Sequence, residues 1–157
     1  MNRTARTILS ILLLVSSTVT YAQSALQNQL QKAADGKKQR VFIEKFAEQA
    51  KQKDTAAILA EMDASTIKSI GEVNIAHVLE TKVFPFFSVY VKLHSYDQLT
   101  NATLPDGRAG LWHYTYISSA TENMLPFRIA VIDTSDGPKI LDVVVNECVK
   151  GRHPVCN

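Results

Sequence analysis

The stretch of sequence that decides the fold is residues 127–145, FRIAVIDTSDGPKILDVVV. Its two apolar runs, Phe127–Asp133 and Ile140–Val145, have the length of ordinary strands. Between them lies Ser135-Asp136-Gly137-Pro138, a composition typical of a tight turn. The stretch therefore predicts two antiparallel strands joined as a hairpin.

Two further strands are predicted on the N-terminal side of this hairpin. Along Leu111–Ser118 aromatic side chains occupy every second position, and along Val89–Tyr96 aliphatic residues alternate with polar and aromatic ones. The segment Asn101–Gly110 between them contains Pro105-Asp106-Gly107 and is therefore expected to be a turn.

Before these strands the apolar residues recur at helical spacing. A polar leader over 23–37 is followed by a first helix that begins near Lys38 and carries one apolar stripe. Asp54 is the expected N-cap of a second helix over Thr55–Met62.

A third helix is predicted over Ile75–Val83, with Asn74 as its cap and Pro85 as its end. Ser65–Val73, before that helix, is expected to be a connector. The order of three helices and then four strands predicts an α+β domain. N-terminal helices would pack on a curved antiparallel sheet of about four strands.

The first 22 residues have the pattern of an export signal. Arg3 and Arg6 precede the apolar run Ile8–Val19, and Thr20-Tyr21-Ala22 supplies small residues for cleavage before Gln23. The alternative is a buried N-terminal helix. We expect an exported protein without a membrane anchor. The Gram-negative periplasm is the favoured compartment, and secretion is the other possibility.

The charge balance argues against a role in binding nucleic acid. The 17 basic residues would lose Arg3 and Arg6 with the signal, which leaves as many basic residues as the 15 acidic ones. A chain with no net charge lacks the basic field that holds a phosphate backbone.

The two cysteines, Cys148 and Cys156, both lie in the C-terminal tail 148–157. An exported protein meets oxidising conditions, so we expect a disulfide that closes this tail into a small loop. A metal or redox pair that includes His153 is the alternative, but the spacing is not that of a redox motif. No metal or other cofactor is expected.

Three segments resemble the NTF2-like superfamily, also called SnoaL-like or cystatin-like. They are Phe42–Phe46 through Lys53–Leu59, the end of the third helix at Val83–Phe87, and the closing hairpin. The resemblance covers about 38–147 and implies a bent sheet wrapped around the first helix as a cone with an apolar pocket. Members of the superfamily include isomerases, cyclases, dehydratases and non-catalytic binding domains, and many of them dimerise. The resemblance therefore implies a fold rather than one function.

The candidate catalytic residues are His113, Asp133 and Asp142. Asp133 is the one acid on the strand face with Phe127, Ile129 and Val131, and Asp142 is expected to share a face with Ile140 and Val144. Both positions also suit an ordinary solvated carboxylate, and His113 also suits a hydrogen-bonded sheet histidine. No two acids have a spacing that indicates general acid–base catalysis.

An aromatic cluster is the candidate binding surface. Tyrosine and tryptophan combine an apolar ring with a polar tip, which favours half-wet surfaces and interfaces. The alternative is an ordinary sheet face covered by the helices. The candidate binding residues are Tyr90, His94, Tyr96, Trp112, Tyr114 and Tyr116.

The sequence favours a small exported binding or accessory domain without catalysis. It would hold a protein partner or an apolar small molecule, and the resemblance to the superfamily implies a homodimer. One alternative is a small isomerase, dehydratase or hydrolase that acts in the cone. Another is a periplasmic immunity protein, with the loop 101–110 inserted into the cleft of a toxin.

Overall fold

The computed structural model describes residues 36–104, 107–121 and 123–149, without the side chains of 95–98. The chain divides into two units, Met1–Lys38 and Gln39–Asn157, and every contact below lies in the second. The export signal over 1–22, most of the leader, Pro105-Asp106, His153 and Cys156 lie outside the described residues. The predictions that fall on them stay predictions.

The helices come first along the chain, as the sequence predicts. Asp54 caps α2 as expected, because its Oδ1 accepts a hydrogen bond of 3.0 Å from the backbone N–H of Ala57. A π-helical turn at Leu79–Val83 links the last two helices. The helices are α1 (36–51), α2 (Thr55–Glu61), α3 (Ala64–Ile70), α4 (Glu72–Val78) and α5 (Phe84–Phe87).

Three details of the helical half differ from the prediction. Helix α3 occupies the predicted connector, where Asp63 caps it by accepting from the N–H of Ser65. Asn74 lies inside α4, and its side chain donates to the carbonyl of Ile70 at 2.8 Å. Pro85 does not end the helix. It lies in α5, which directly follows the π-helical turn, so the helical run continues past the proline to Phe87.

Within the described residues, four strands form one antiparallel sheet in the order β1-β2-β3-β4. The α+β class is therefore confirmed, with helices packed on an antiparallel sheet of four strands. β1 begins later than predicted and continues into the predicted turn, so the connection to β2 is shorter. The strands are β1 (Lys92–Thr103), β2 (Ala109–Ser118), β3 (Met124–Thr134) and β4 (Gly137–Val145).

A β-bulge in β4 changes which face Asp142 belongs to. Ile140 is paired with Val131, but Asp142 is paired with Ala130, so Leu141 is an extra residue in β4. Paired residues share a face, and Val131 and Ala130 point to opposite faces of β3. The prediction that Asp142 shares a face with Ile140 is therefore wrong, because the bulge interrupts the two-residue alternation.

The two faces of the sheet are covered differently. The face of Phe127, Ile129 and Val131, here called the helix face, packs against α1, α2, α4 and α5 in the main core. The other face, here called the opposite face, carries a smaller cluster that includes Ala130 and Ile132, with Trp112 packed against it. Within the described residues, no helix is long and apolar enough to cross a membrane.

Candidate functional site

The candidate site is a cavity of about 360 Å³ between α3 and the opposite face, here called the α3 cavity. A cavity of this size falls in the range that takes small organic ligands. Its wall combines an apolar part with a set of hydroxyl groups. The apolar residues are Ile70, Ala102, Leu104, Ala130 and Leu141, and the polar ones are Ser65, Thr66, Ser69, Thr103, Trp112 and Asp142.

Small residues create the space beside Trp112. Ala130 is its cross-strand partner in β3, and Ala102 is paired with Gly110 at the neighbouring position of β1 and β2. A Cβ on Gly110 would lie 2.6 Å from the carbonyl oxygen of Val131 and 2.7 Å from Leu141 Cδ1. The backbones therefore approach closely at Gly110, while the alanines leave room in front of the indole.

The N-terminus of α3 is fixed to the sheet by the backbone. The N–H of Asp63 donates a hydrogen bond of 2.9 Å to the carbonyl of Ile140, and Met62 forms a parallel bridge with the same residue. The chain before α3 therefore lies along the edge of β4 that faces away from β3. This places the helix over the end of the sheet where the cavity opens.

A bidentate ion pair fixes the same end of α3 to the connection between β1 and β2. Arg108 donates to both carboxylate oxygens of Asp63, at 3.0 and 2.9 Å, and also to Ser65 Oγ at 2.9 Å. The hydrogen bonds from the Arg108 guanidinium have the largest effect on the buried Asp63 carboxyl. Together with those from Ser65 they hold its pKa well below its usual range. The Asp63–Arg108 ion pair thus fixes the start of α3 beside the cavity. Both residues also hydrogen-bond to Ser65, which lines the cavity and is fixed with them.

Asp142 brings a carboxyl to the wall of the cavity. It is exposed on one side, and its Oδ1 accepts a hydrogen bond of 2.8 Å from the N–H of Val143. Burial of the rest of the group raises the pKa of the Asp142 carboxyl, against the opposing effects of this hydrogen bond and of Arg128. Asp142 and Trp112 are the sequence candidates that line the same cavity.

The indole of Trp112 is held in place by Arg128. The guanidinium carbon lies 4.5 Å from the ring centroid, and an Arg128 nitrogen forms an ion pair of 2.8 Å with Glu147. A cation over an indole face is attractive, and the half-buried arginine loses little of that attraction to solvent. The ring is therefore positioned before any ligand arrives.

The other two catalytic candidates lie on the helix face. His113 is paired with Ile129, and burial lowers the pKa of its imidazole to about 4, although Asp133 opposes the shift. Its Nε2 has no hydrogen-bond partner among the described residues. Asp133 accepts a hydrogen bond of 3.0 Å from the side chain of Gln39. The sheet thus separates these two residues from Asp142.

The predicted aromatic surface is divided in the same way. Tyr90 precedes β1 and packs in the main core beside Phe87, with Lys51 5.8 Å from its ring centroid. His94 is paired with Tyr116 and therefore shares the opposite face with Trp112.

Tyr114 and Tyr116 are both buried, and the hydroxyl of Tyr114 lies 3.1 Å from Thr100 Oγ1. These two rings do not form an exposed surface. The side chain of Tyr96 lies outside the described residues.

The sequence analysis missed the hydroxyl residues of α3. The available signal was Asp63 followed by Ser65 and Thr66, because an aspartate at this position is a common N-cap. Thr66, Ser69 and Ile70 then fall on one helical face at spacings of three and four.

Searches against protein-family models, curated proteins and solved structures found no match to this chain. The search for clusters of three or more metal-binding side chains also found none in the described part of the chain. The site is therefore interpreted from its own geometry.

Proposed function

We propose that this chain is a small exported binding domain that holds an apolar or amphipathic small molecule in the α3 cavity, without catalysing a reaction on it. The observation that carries the proposal is the cavity itself. It has an apolar floor, one indole and a wall of hydroxyl groups. Ligand sites in proteins commonly combine a mostly apolar lining with a few polar groups that fix orientation.

Preorganisation of the walls supports binding. Asp63 and Arg108 fix α3, Arg128 fixes Trp112, and the close approach at Gly110 fixes the floor. A site that is already formed spends little of its binding free energy on ordering side chains.

The separation of the titratable candidates favours binding over catalysis. A general acid or base works best with a second group within hydrogen-bond reach that exchanges protons with it or orients it. Asp142 is the only ionisable side chain among the described residues that line the cavity, and His113 and Asp133 lie across the sheet.

Export and the NTF2-like relationship are part of the same proposal. The pattern of residues 1–22 and the cysteine pair support export, with a disulfide between Cys148 and Cys156 as its consequence. The order of helices followed by an antiparallel sheet supports the NTF2-like relationship. A binding role suits that superfamily, which includes non-catalytic binding domains.

A second candidate function rests on Asp142. A carboxyl whose pKa is raised by burial beside an indole is a possible general acid in an isomerase, dehydratase or hydrolase. In that case Asp142→Asn would abolish turnover of a substrate and leave its binding intact.

The proposal can be tested with N-phenyl-1-naphthylamine, a neutral apolar dye that fluoresces when it leaves water. We expect saturable binding by the natural chain and loss of that binding in Ser69→Phe, because Ser69 lines the cavity. Lys68→Phe is the matched control, since Lys68 is an exposed residue of the same helix that does not line the cavity. Equal binding by both variants would overturn the proposal.

A further inference from the structure

A second cavity of about 150 Å³ lies beside the α3 cavity, on the helix side of β4. It is lined by residues of α1, α2, α4 and the π-helical turn, among them Phe46, Ile58, Ile75 and Leu79. Asp142 is the only polar residue among the described residues that line it. We call it the apolar cavity.

The two cavities share three wall residues, Ile70, Leu141 and Asp142. Leu141 is the extra residue of the β4 bulge, so its position at the junction follows from the bulge. Ile70 is the last residue of α3, is 47% exposed, and precedes Gly71, whose φ of 87° ends the helix. The two cavities therefore adjoin at the last side chain of a short helix and at the β4 bulge.

The size and lining of each cavity indicate which part of a ligand it would hold. The apolar cavity has about the volume that holds a group the size of benzene, roughly six carbon atoms, and apart from Asp142 its lining is aliphatic and aromatic. The α3 cavity is larger and offers the hydroxyls of Ser65, Thr66 and Ser69, each of which can donate and accept hydrogen bonds.

The charges at the walls select against an anionic ligand. Asp142 lies at the junction of the cavities, and no basic side chain is among the described residues that line either one. Two guanidinium groups lie nearby, and both are engaged: Arg128 with Trp112 and Glu147, and Arg108, which contacts the lining hydroxyl of Ser65, with the Asp63 carboxylate. A carboxylate or phosphate head would thus meet the Asp142 carboxyl and only cations that are already paired.

We propose that the two cavities together bind one neutral amphiphile. Its hydroxyl-bearing head occupies the α3 cavity, and its apolar tail of about six carbons passes Ile70 into the apolar cavity. This inference rests on the proposed function and specifies the class of ligand. The tail gains from removal of apolar surface from water, and the head gains orientation from the α3 hydroxyls.

The test is a chain-length series. Alkyl β-D-glucosides with tails of two to eight carbons, all kept monomeric, would displace N-phenyl-1-naphthylamine from the natural chain. We expect affinity to rise about fourfold for each added methylene up to about six carbons and then to level off. Hexanoate, with the same tail length and a negative head, should bind more weakly than hexyl glucoside.

Two variants of α4 locate the tail. Val78→Phe places a larger side chain at the wall of the apolar cavity. Affinity should then no longer rise with tail length, while ethyl glucoside binds as before. Val73→Phe is the matched control, because Val73 is 83% exposed on the same helix and lines neither cavity. It should leave the series unchanged.

The outcomes separate this inference from the proposed function. Suppose that the dye binds at a site sensitive to Ser69→Phe. If the affinity for glucosides then does not depend on tail length, or if Val78→Phe does not change that dependence, the inference fails and the proposed function stands. Stronger binding of hexanoate than of hexyl glucoside would also overturn the inference. If the dye does not bind, the proposed function itself fails.

Discussion

The helix face and the opposite face of one sheet are packed differently. On the helix face, nineteen buried residues form one cluster, which joins the rings of Phe46, Phe86, Phe87 and Phe127 edge to face. On the opposite face, among the described residues, a smaller cluster of five buried side chains lies under α3, and a cavity of about 360 Å³ remains beside Trp112. The larger cluster removes far more apolar surface from water, so it supplies most of the stability.

The contrast arises from side-chain size at matched positions. Ile129 and Val131 point to the helix face of β3, while Ala130 between them points to the opposite face beside Trp112. A small residue at position 130 gives up some packing energy, and the larger core on the helix face offsets that loss of stability. The helix face therefore carries most of the packing, and the opposite face carries the cavity in which we propose that a ligand binds.

The largest expected effect tests whether stability resides on the helix face. Phe87→Ala removes a fully buried ring that packs against three other phenylalanines, and it should lower the free energy of unfolding by about 3–5 kcal/mol. Leu104→Ala, in the cluster next to the α3 cavity, is the comparison and should cost about 2 kcal/mol. Urea unfolding measures both, and a larger loss for Leu104→Ala would reverse the comparison.

The next effect is a pH dependence from the helix face. Burial lowers the pKa of His113 in the fold to about 4, so the unfolded chain binds the proton more readily between pH 6.5 and 4. The stabilisation from the neutral imidazole is complete above about pH 6.5 and is lost as the pH falls to about 4. Its size is on the order of 3 kcal/mol.

His113→Gln isolates this contribution, since every other titrating group is kept. Unfolding free energies of both chains should be measured from pH 7 to pH 4. The natural chain should lose more stability over this range than the variant. Parallel curves would show that His113 is protonated as readily in the fold as in the unfolded chain.

A smaller effect comes from the close approach beneath the cavity. Gly110→Ala places a Cβ against the backbone carbonyl of Val131, which cannot move without disturbing the sheet, so a loss of about 1–3 kcal/mol is expected. Gly36→Ala in α1 is the control, because a Cβ there meets nothing within 4 Å and alanine favours a helix. Thermal unfolding compares the two, and equal stability would show that the sheet can open at Gly110.

Local chemistry made the helix face predictable from sequence. The apolar runs of β3 and β4 and the Asp136-Gly137 turn lie close together in the chain, so the hairpin needs no distant information. The apolar stripe of α1 likewise identifies its buried residues.

The opposite face depends on contacts that the sequence pattern does not carry. Serines and threonines are weak helix formers, so 64–70 resembles a connector until Arg108, 45 positions from Asp63, fixes the start of α3. The bulge at Leu141 is equally invisible in an alternating pattern, yet it moves Asp142 to the cavity. The site was therefore harder to predict than the core.

Native mass spectrometry tests the central claim most directly. The natural chain and the Ser69→Phe and Lys68→Phe variants would be purified from the cells that make the protein, then measured under gentle and denaturing conditions. The account predicts a retained small molecule on the natural chain and on Lys68→Phe, lost on denaturation and absent from Ser69→Phe. A bare chain mass for the natural protein, or the same retained mass on Ser69→Phe, would contradict it.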